Sequence, residues 1–405
     1  MVANPGSIAE MGHMAAGLAT AGVLERYVTP LALDRDSRLL EVLPGALANQ
    51  LRRRTVPDEL RGKVDRAASL AEVGYLLSAR VPGASRLSLA TLYRRDRVFD
   101  RRLAERVRPH HRAIVATWNA AERTLVRAAA LGVPTALEYP IAHHRFARDL
   151  LTEEARLQPR FAATLQHHDL GRAHEQRLDR EIALADRVLV LSEAQRRTFV
   201  DSGVSTDKLV VTHLGVDGEL FRPAGREVRD RPFRVVFVGQ LSQRKGLSYL
   251  LEGFERAALP DAELLLVGRP VGTDTVWRDL PRVRHIPHVP RHDLPGIYAT
   301  ADVFAFPTLV EGFPQTPLEA MACGLPVVVS QNAYGEDVVR DGTDGYVIGI
   351  RDADAVADRL TRLHGDAALR ERMGLAARDR ASSFTWPAYG ARVAEVLRAL
   401  AAEAS

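Results

Sequence analysis

Short apolar runs alternate with amphipathic segments throughout the second half of the chain. The apolar runs, which we expect to be β-strands, occupy residues 233–239, 263–268, 283–287, 302–307 and 325–330. The intervening segments, which we expect to be helices, include residues 246–258, 292–300 and 317–323. Near-continuous apolar strands joined by crossover helices are typical of a parallel sheet that is buried on both faces. This half of the chain is therefore predicted to fold as a doubly wound α/β domain.

The first half repeats the pattern less regularly. Its predicted strands are 113–118, 134–140 and 187–192, and its predicted helices are 8–26, 57–79 and 119–131, with further helical segments within 145–183. A chain of 405 residues is long for one domain. The polar stretch 222–232, which contains Pro and Gly, separates the two halves. We predict one domain over 1–222, a second over 223–385, and a helix-forming segment over 386–405.

The composition is that of a globular protein, with 46% hydrophobic and 26% charged residues. No run approaches the 18 or so apolar residues of a membrane-spanning helix. The first residues contain neither a basic nor an apolar region of a secretory signal. The single cysteine, Cys323, excludes an intramolecular disulfide and suits a reducing compartment. The sequence thus predicts a soluble cytoplasmic protein, with Cys323 in a packing role.

Basic residues are concentrated in the stretch 94–112, although the net charge of the whole chain is only +4. Such a stretch could contact anionic lipid or an acidic acceptor, which would place the protein at the inner face of a membrane. The commoner explanation is a solvated helix face. We find no nucleic-acid-binding motif, so no nucleic-acid partner is expected.

Two carboxylates stand eight positions apart in the run EGFPQTPLE, at Glu311 and Glu319. The run links a predicted strand to a predicted helix, and the free amides at a helix N-terminus suit a phosphate. Carboxylates there can accept hydrogen bonds from sugar hydroxyls. The alternative is structural: Thr316 would be the N-cap of the helix, and Glu319 would complete a capping box.

The stretch EGFPQTPLEAMACGLPVVVS (311–330) resembles the signature of glycosyltransferase family 4. Two further stretches, 236–254 and 283–308, match the same family in the same order. The resemblance implies a GT-B fold, in which two Rossmann-like domains face each other across a cleft. It also implies that the segment 386–405 packs back on the first domain. The first domain would bind the acceptor and the second the nucleotide-sugar donor.

The resemblance assigns roles to individual residues. Lys245 would hold the donor diphosphate; the family's partner arginine is replaced by Gln240, and we expect Arg244 to compensate. Glu319 would bind the ribose hydroxyls and Glu311 the transferred sugar. The other donor-binding residues that it implies are Gly312, Phe313, Pro314, Gln315, Thr316, Leu318 and His288.

In the first half, the resemblance points to a histidine beside the anomeric carbon. His143 is the best match and His144 is its rival, although two adjacent histidines could also be surface residues. Gly6 is expected to approach the diphosphate. We find no metal-ligand spacing, so we expect neither a metal nor another cofactor, and the nucleotide-diphosphate sugar is a co-substrate.

Together these features predict a retaining, metal-independent hexosyltransferase that uses an NDP-sugar. The acceptor hydroxyl could belong to a glycan, a lipid-linked compound or a small molecule, as in polysaccharide, glycolipid or natural-product biosynthesis. Two alternatives remain: an epimerase or hydrolase of nucleotide sugars, and a non-catalytic subunit that binds them.

Overall fold

A computed structural model describes residues 1–6, 8–34, 37, 51–52, 54–79, 85–165, 171–223, 231–272, 276–334 and 337–404. The first half forms a parallel sheet of seven strands in the order β3-β2-β1-β4-β5-β6-β7. Its strands are β1 (Val2–Ala3), β2 (Tyr27–Thr29), β3 (Val64–Arg66), β4 (Ile114–Thr117), β5 (Thr135–Glu138), β6 (Arg187–Val190) and β7 (Leu209–Val211). Its helices are α1 (Ala9–Thr20), α2 (Ser69–Ser78), α3 (Ser85–Ala104), α4 (Glu122–Ala130), α5 (His144–Leu157), α6 (Arg172–Leu184) and α7 (Glu193–Asp201).

The second half forms a parallel sheet of six strands in the order β10-β9-β8-β11-β12-β13. Its strands are β8 (Phe233–Val238), β9 (Ala262–Val267), β10 (Val283–Ile286), β11 (Val303–Phe306), β12 (Val327–Ser330) and β13 (Gly345–Ile348). Its helices are α8 (Leu247–Ala257), α9 (Leu294–Ala299), α10 (Gln315–Ala322), α11 (Ala353–Gly365) and α12 (Ala367–Ser382). The strands are almost entirely buried, as the apolar runs predict, except for the edge strand β10, which has no fully buried residue.

Both sheets reverse their strand order next to their first strand. In the first sheet the reversal lies between β1 and β4, and in the second it lies between β8 and β11. Open α/β sheets bind ligands outside the carboxyl ends of the strands at such a switch point. The loops that follow β8 and β11 are therefore where a ligand of the second domain is expected.

The last helix, α13 (Trp386–Glu403), packs against α1 of the first domain. The two helices cross at glycines, because a Cβ added to Gly17 would lie 2.6 Å from the Cα of Gly390. A side chain at either position would force the helices apart. The end of the chain thus joins the first domain rather than the second.

Two sequence predictions need correction. The predicted helix 57–79 is wrong over its first part, which holds a 3-10 turn at Asp58–Leu60 and the strand β3. The predicted helix 8–26 ends at Thr20, and the strand β2 follows it. Strands of three residues at or near a sheet edge carry too few apolar positions to show a period of two. The predicted boundary at 222–232 has its residues 224–230 outside the described parts of the chain.

The basic stretch 94–112 is not uniformly solvated. Arg94, Arg97, Arg101 and Arg102 are exposed, but Arg95 and Asp96 are buried. Arg95 donates to Asp96 and also to Glu72 on α2, at 3.1 Å. A buried charge needs such partners, so this part of the stretch stabilises the packing of α2 on α3.

Within the described residues, no helix has both the length and the apolar character needed to cross a membrane.

Candidate active site

The loop after β8 brings two cations to the switch point of the second sheet. A 3-10 turn at Gln243–Lys245 leads into α8 through Gly246, which has a φ of +72°. A Cβ on Gly246 would lie 1.8 Å from the carbonyl oxygen of Pro307, in the loop after β11. Only glycine combines this left-handed backbone with so close an approach. The glycine therefore sets the distance between the two loops.

Replacing Gly246 tests how tightly these loops are joined. Gly342 has the same φ of +72°, but a Cβ there would meet nothing within 4 Å. We expect Gly342→Ala to cost about 1 kcal/mol of folding free energy from backbone strain alone. Gly246→Ala should cost a further ~2 kcal/mol or more, because the new methyl overlaps a carbonyl. Equal denaturation midpoints for the two variants would contradict the close contact.

Arg244, Lys245 and Glu311 meet in one cluster. Arg244 Nη1 and Lys245 Nζ each lie 2.5 Å from Glu311 Oε1, and Thr308 Oγ1 donates to the same oxygen at 3.0 Å. Burial would raise the pKa of Glu311, but the two cations lower it below its ordinary value. Burial, reinforced by Arg244, lowers the pKa of Lys245 to about 8 against the pull of Glu311. The cluster holds two positive charges just before the N-terminus of α8, which suits an anionic ligand.

Glu319 is the fifth of the eight residues of α10 and is 2% exposed. Its Oε1 accepts from Arg291 Nε and Nη2 at 3.0 and 2.9 Å, and its Oε2 accepts from Tyr298 Oη at 3.3 Å. Burial raises the pKa of Glu319, although Arg291 opposes the shift. Arg291 is half-exposed, so one polar hydroxyl of a ligand could approach the carboxylate beside it.

The capping-box alternative is wrong. The helix α10 begins at Gln315 with Pro314 as its N-cap, and Thr316 Oγ1 donates to the carbonyl of Val238 at 2.9 Å. Pro314 has no backbone N–H to donate, and Glu319 lies two residues beyond the capping-box position, so Glu319 binds Arg291 instead. The Thr316 contact ties the helix to the end of β8, close to the loop that carries Lys245.

The remaining predicted donor residues divide into two groups. Phe313 and Leu318 are buried in the core, and Phe313 packs on Tyr334 with ring centroids 4.8 Å apart. Gln315 has no hydrogen-bond partner for either buried amide atom among the described residues, and His288 is exposed. The structure therefore places Phe313 and Leu318 behind the loop rather than on its surface.

Gly312 lies where the two domains touch. A Cβ there would lie 2.1 Å from the carbonyl oxygen of Pro140, and the Gly312 carbonyl accepts from Ser192 Oγ at 2.7 Å. Both partners belong to the first domain. The EGF part of the motif therefore contacts the loop between β5 and α5.

His143 and His144 stand at the start of α5, and both are buried, so the surface-pair alternative is wrong. His143 is the N-cap; its Nδ1 accepts from the backbone N–H of Arg145 at 3.3 Å, and burial lowers its pKa to about 3. His144 stacks on it, and its Nε2 lies 3.1 Å from Asp179 Oδ1. His144, which the sequence analysis gave as the alternative to His143, lines a cavity between the two domains.

A cavity of about 510 Å³ lies between the two domains, next to His144. Its wall from the second domain includes Gln240, Ser242, Arg244 and Val310. Its wall from the first domain comprises Leu89, Leu92, Tyr93, Trp118, Asn119, Pro140, Ile141, Ala142, His144, Ala147, Leu151 and His174. Arg244 thus joins the Lys245–Glu311 cluster to an interdomain space of ligand size.

Gly6 lies elsewhere. It lines a smaller cavity of about 220 Å³ within the first domain, together with His13, Arg52 and Arg54. A Cβ on Gly6 would lie 3.0 Å from Arg95 Nη1, so the loop after β1 packs on the buried arginine of α3. The structure does not bring Gly6 to the wall of the cavity that Arg244 lines.

Two groups of side chains within the described residues could hold a metal ion: Glu25, His110 and His111, and His143, His144 and Asp179. The ligand atoms of each group lie within 4.8 Å of one another. Neither group was visible as a sequence spacing, because each joins residues from different elements.

An interdomain hydrogen-bond cluster supports the loop that carries Lys245. Glu154 of α5 is fully buried; its Oε1 accepts from Gln243 Nε2 at 2.7 Å and Tyr249 Oη at 2.9 Å. Its Oε2 accepts from Arg351 Nε at 2.8 Å. Helix α5, which begins at the two histidines, therefore also fixes the loop of the second domain that carries Lys245.

Removing this carboxylate should be costly. We expect Glu154→Ala to lower the free energy of unfolding by about 3 kcal/mol, because the buried donors of Gln243 and Tyr249 and the partly exposed Arg351 lose their partner. The matched control is Glu153→Ala, since Glu153 also binds Arg351, at 2.8 Å, but is exposed. The control should cost less than about 1 kcal/mol. Similar losses in urea titrations of both variants would contradict the role of Glu154.

Comparisons with known proteins agree with this geometry. Residues 232–366 match the family model described as "Glycosyl transferases group 1". A GDP-mannose-dependent alpha-(1-6)-phosphatidylinositol monomannoside mannosyltransferase of Mycolicibacterium smegmatis is 33% identical over 238 residues. The match covers 53% of this chain and 62% of that relative, so the chain spans less than two thirds of its length.

Solved structures extend the likeness to both domains. Sucrose-phosphate synthase from Thermosynechococcus elongatus has a TM-score of 0.64 at 21% identity, covering 96% of this chain and 92% of that one. The Anabaena protein HepE in complex with UDP and glucose has a TM-score of 0.58 at 18% identity, covering 98% of both chains. These likenesses confirm the predicted GT-B fold. The residues that match the group 1 glycosyl transferase model, 232–366, include Lys245, Glu311 and Glu319.

Proposed function

We propose that the protein is a retaining glycosyltransferase of family 4 that moves a sugar from an NDP-sugar to a hydroxyl acceptor. The observation that carries the proposal is the meeting of Arg244, Lys245 and Glu311 at the switch point of the second sheet, where Arg244 also lines the interdomain cavity. Glu319 stands on the helix that follows the same loop. The site thus offers cations for a diphosphate and carboxylates for hydroxyls.

In the proposed reaction, the acceptor oxygen bonds to the anomeric carbon while the bond from that carbon to the diphosphate oxygen breaks on the same face. The acceptor proton passes to the departing phosphate oxygen. Lys245 and Arg244 stabilise the charge that develops on the leaving group, which is the interaction that most accelerates such a step. Glu311 positions the two cations before the donor binds and then accepts from hydroxyls of the sugar. We assign no metal to this step, since two cations already face the diphosphate.

Two known proteins that resemble this chain suggest different nucleotides for the donor. The mannosyltransferase relative is named as GDP-mannose-dependent, and HepE was solved with UDP. The decisive assay incubates the protein with UDP-, GDP-, dTDP- and ADP-sugars, with and without EDTA, and measures release of nucleoside diphosphate. Proton NMR of the product should show the anomeric configuration of the donor retained. An inverted product would contradict the retaining mechanism, and release of free sugar at a rate independent of acceptor would indicate a hydrolase.

The lowered pKa of Lys245 predicts a pH dependence. As the pH rises through about 8, Lys245 loses its proton and its attraction for the diphosphate, so kcat/KM for the donor should fall above pH 8. Folding stability should not fall with it. Between pH 8 and the ordinary lysine pKa of 10.5, the unfolded chain binds more protons at this group, so its contribution to stability rises with pH. In the Lys245→Arg variant the fall above pH 8 should disappear, and its persistence would assign it to another group.

A further inference from the structure

The cavity between the domains has two walls of different chemistry. Helix α3 presents Leu89, Leu92 and Tyr93, and the loop after β4 presents Trp118. Helix α5 adds Ala147 and Leu151, so the first-domain wall is largely apolar and includes two aromatic rings. Tyr93, Leu92 and Trp118 are each only partly buried, so their surfaces are available to a ligand. Such a wall binds by apolar burial and ring contact.

Charge is confined to the other wall. Among the described residues that line the cavity, Arg244 is the only one with a permanent charge, and it belongs to the diphosphate cluster. The described residues of the first-domain wall include neither lysine nor arginine, so they offer no permanent cation to a phosphate or carboxylate group of an acceptor.

One polar atom beside the first-domain wall, Oδ1 of Asn119, can act only as a hydrogen-bond acceptor. Asn119 lines the cavity and is 8% exposed; its Nδ2 donates to Asp96 Oδ2 at 2.7 Å. An ionised carboxylate can only accept, so this bond fixes the amide with Oδ1 as the remaining acceptor. Oδ1 is buried and has no hydrogen-bond partner among the described residues. A hydroxyl of a ligand could supply the missing donor.

From these features we propose that the acceptor is a compact, uncharged hydroxyl compound with an apolar, ring-bearing body, seated between α3, Trp118 and α5. This inference rests on the proposed glycosyltransferase function and adds the chemical class of the acceptor. The ring system lies against Tyr93 and Trp118, and the reacting hydroxyl points toward Arg244 and the donor. A volume of about 510 Å³ suits one small molecule rather than a polymer segment. The product is the glycoside of that compound, formed with release of the nucleoside diphosphate and transfer of the hydroxyl proton to it.

The first test is equilibrium binding, which needs no turnover. The probe is naringenin, a neutral polycyclic phenol, and its binding is measured by isothermal titration calorimetry, which does not need Trp118 as a reporter. We expect Leu92→Ala and Trp118→Ala each to weaken its binding about tenfold or more. Leu87→Ala is the control, because Leu87 lies on the same helix, is 51% exposed and does not line the cavity. Wild-type protein that binds no neutral ring compound, or variants that bind as well as wild type, would overturn the inference.

The second test uses the donor that the nucleotide assay identifies and compares three acceptors. They are naringenin, myo-inositol 1-phosphate, and diacylglycerol in phosphatidylcholine vesicles. We expect kcat/KM to be highest for naringenin and to fall about tenfold or more in Leu92→Ala, whereas the Leu87→Ala control should keep the wild-type value. Preference for the phosphorylated polyol or for the vesicle lipid would contradict the inference but leave the glycosyltransferase function intact. Absence of donor turnover, even to water, would instead contradict the proposed function.

Discussion

Lys245→Ala is expected to lower kcat about 10²- to 10³-fold, which is the usual effect of removing one group that stabilises charge on a leaving group. The variant loses the cation that lies 2.5 Å from Glu311, whereas Arg244 keeps its own contact with the same oxygen. The cluster therefore survives with one charge fewer. The measurement is the initial rate of nucleoside diphosphate release with saturating donor.

The control for this prediction is Lys63→Ala. Lys63 Nζ donates to the carbonyl of Leu24 at 3.2 Å, in the first domain and outside the cavity. The control should retain the wild-type rate. If Lys245→Ala were as active as Lys63→Ala, the diphosphate would have to bind elsewhere.

Glu319→Ala is expected to weaken nucleotide binding about 10- to 100-fold, because hydrogen bonds from hydroxyls to a buried carboxylate are strong. The effect should appear in the dissociation constant of the nucleoside diphosphate, and therefore also in the KM for the donor. Folding should suffer less than binding. Burial raises the pKa of Glu319, because a buried carboxylate loses the hydration that stabilises its charge. The alanine variant has no such charge to bury, which offsets part of the stability that it loses.

Glu263→Ala provides a matched control for Glu319→Ala. Glu263, on β9, also binds an arginine, since its Oε1 accepts from Arg234 Nε at 2.7 Å. Glu263 belongs to the sheet of the second domain, but it lies neither on α10 nor in the loops that follow β8 and β11. Calorimetric titration should give Glu263→Ala the wild-type affinity for nucleotide. Equal losses in the two variants would indicate a general effect on the domain rather than contact with ribose.

The longer strands of the second domain could be predicted from sequence within one or two residues at most boundaries, because each is a continuous apolar run that needs burial on both faces. The strand β8, predicted at 233–239, is an example. The first domain was harder. Its edge strand β3 has the sequence VDR, which contains one apolar residue and no detectable period. Such strands form because the neighbouring strand supplies hydrogen bonds, and that information is not local.

In the candidate site, too, local motifs could be predicted from the sequence, whereas contacts between distant residues could not. Lys245 and Glu311 were visible because their motifs adjoin predicted strand ends, and the structure brings them into contact. Arg291 was missed as the partner of Glu319, since 28 positions separate the two residues and only folding joins them. Arg95 was grouped with a solvated helix face, although Glu72 and Asp96 hold it in the interior. A helical period could have suggested that Arg95 and Phe99 share one face, but a charged residue gives no sign that a distant partner will neutralise it.

The choice between His143 and His144 illustrates a further limit. Adjacent residues at a helix start point in different directions, and which one reaches the cleft depends on the entry angle of the chain. The structure places His143 at the N-cap and His144 on the cavity wall. We therefore regard His144 as the better candidate for contact with a bound acceptor.

The central claim is that the Arg244–Lys245–Glu311 cluster and Glu319 form a nucleotide-sugar donor site. Calorimetric titration of the wild-type protein and of Lys245→Ala with UDP, GDP, dTDP and ADP, in EDTA, tests it most directly. We predict saturable one-to-one binding of at least one nucleotide by the wild type, weakened about tenfold or more in the variant. Absence of binding to all four nucleotides, or equal binding by both proteins, would contradict the claim.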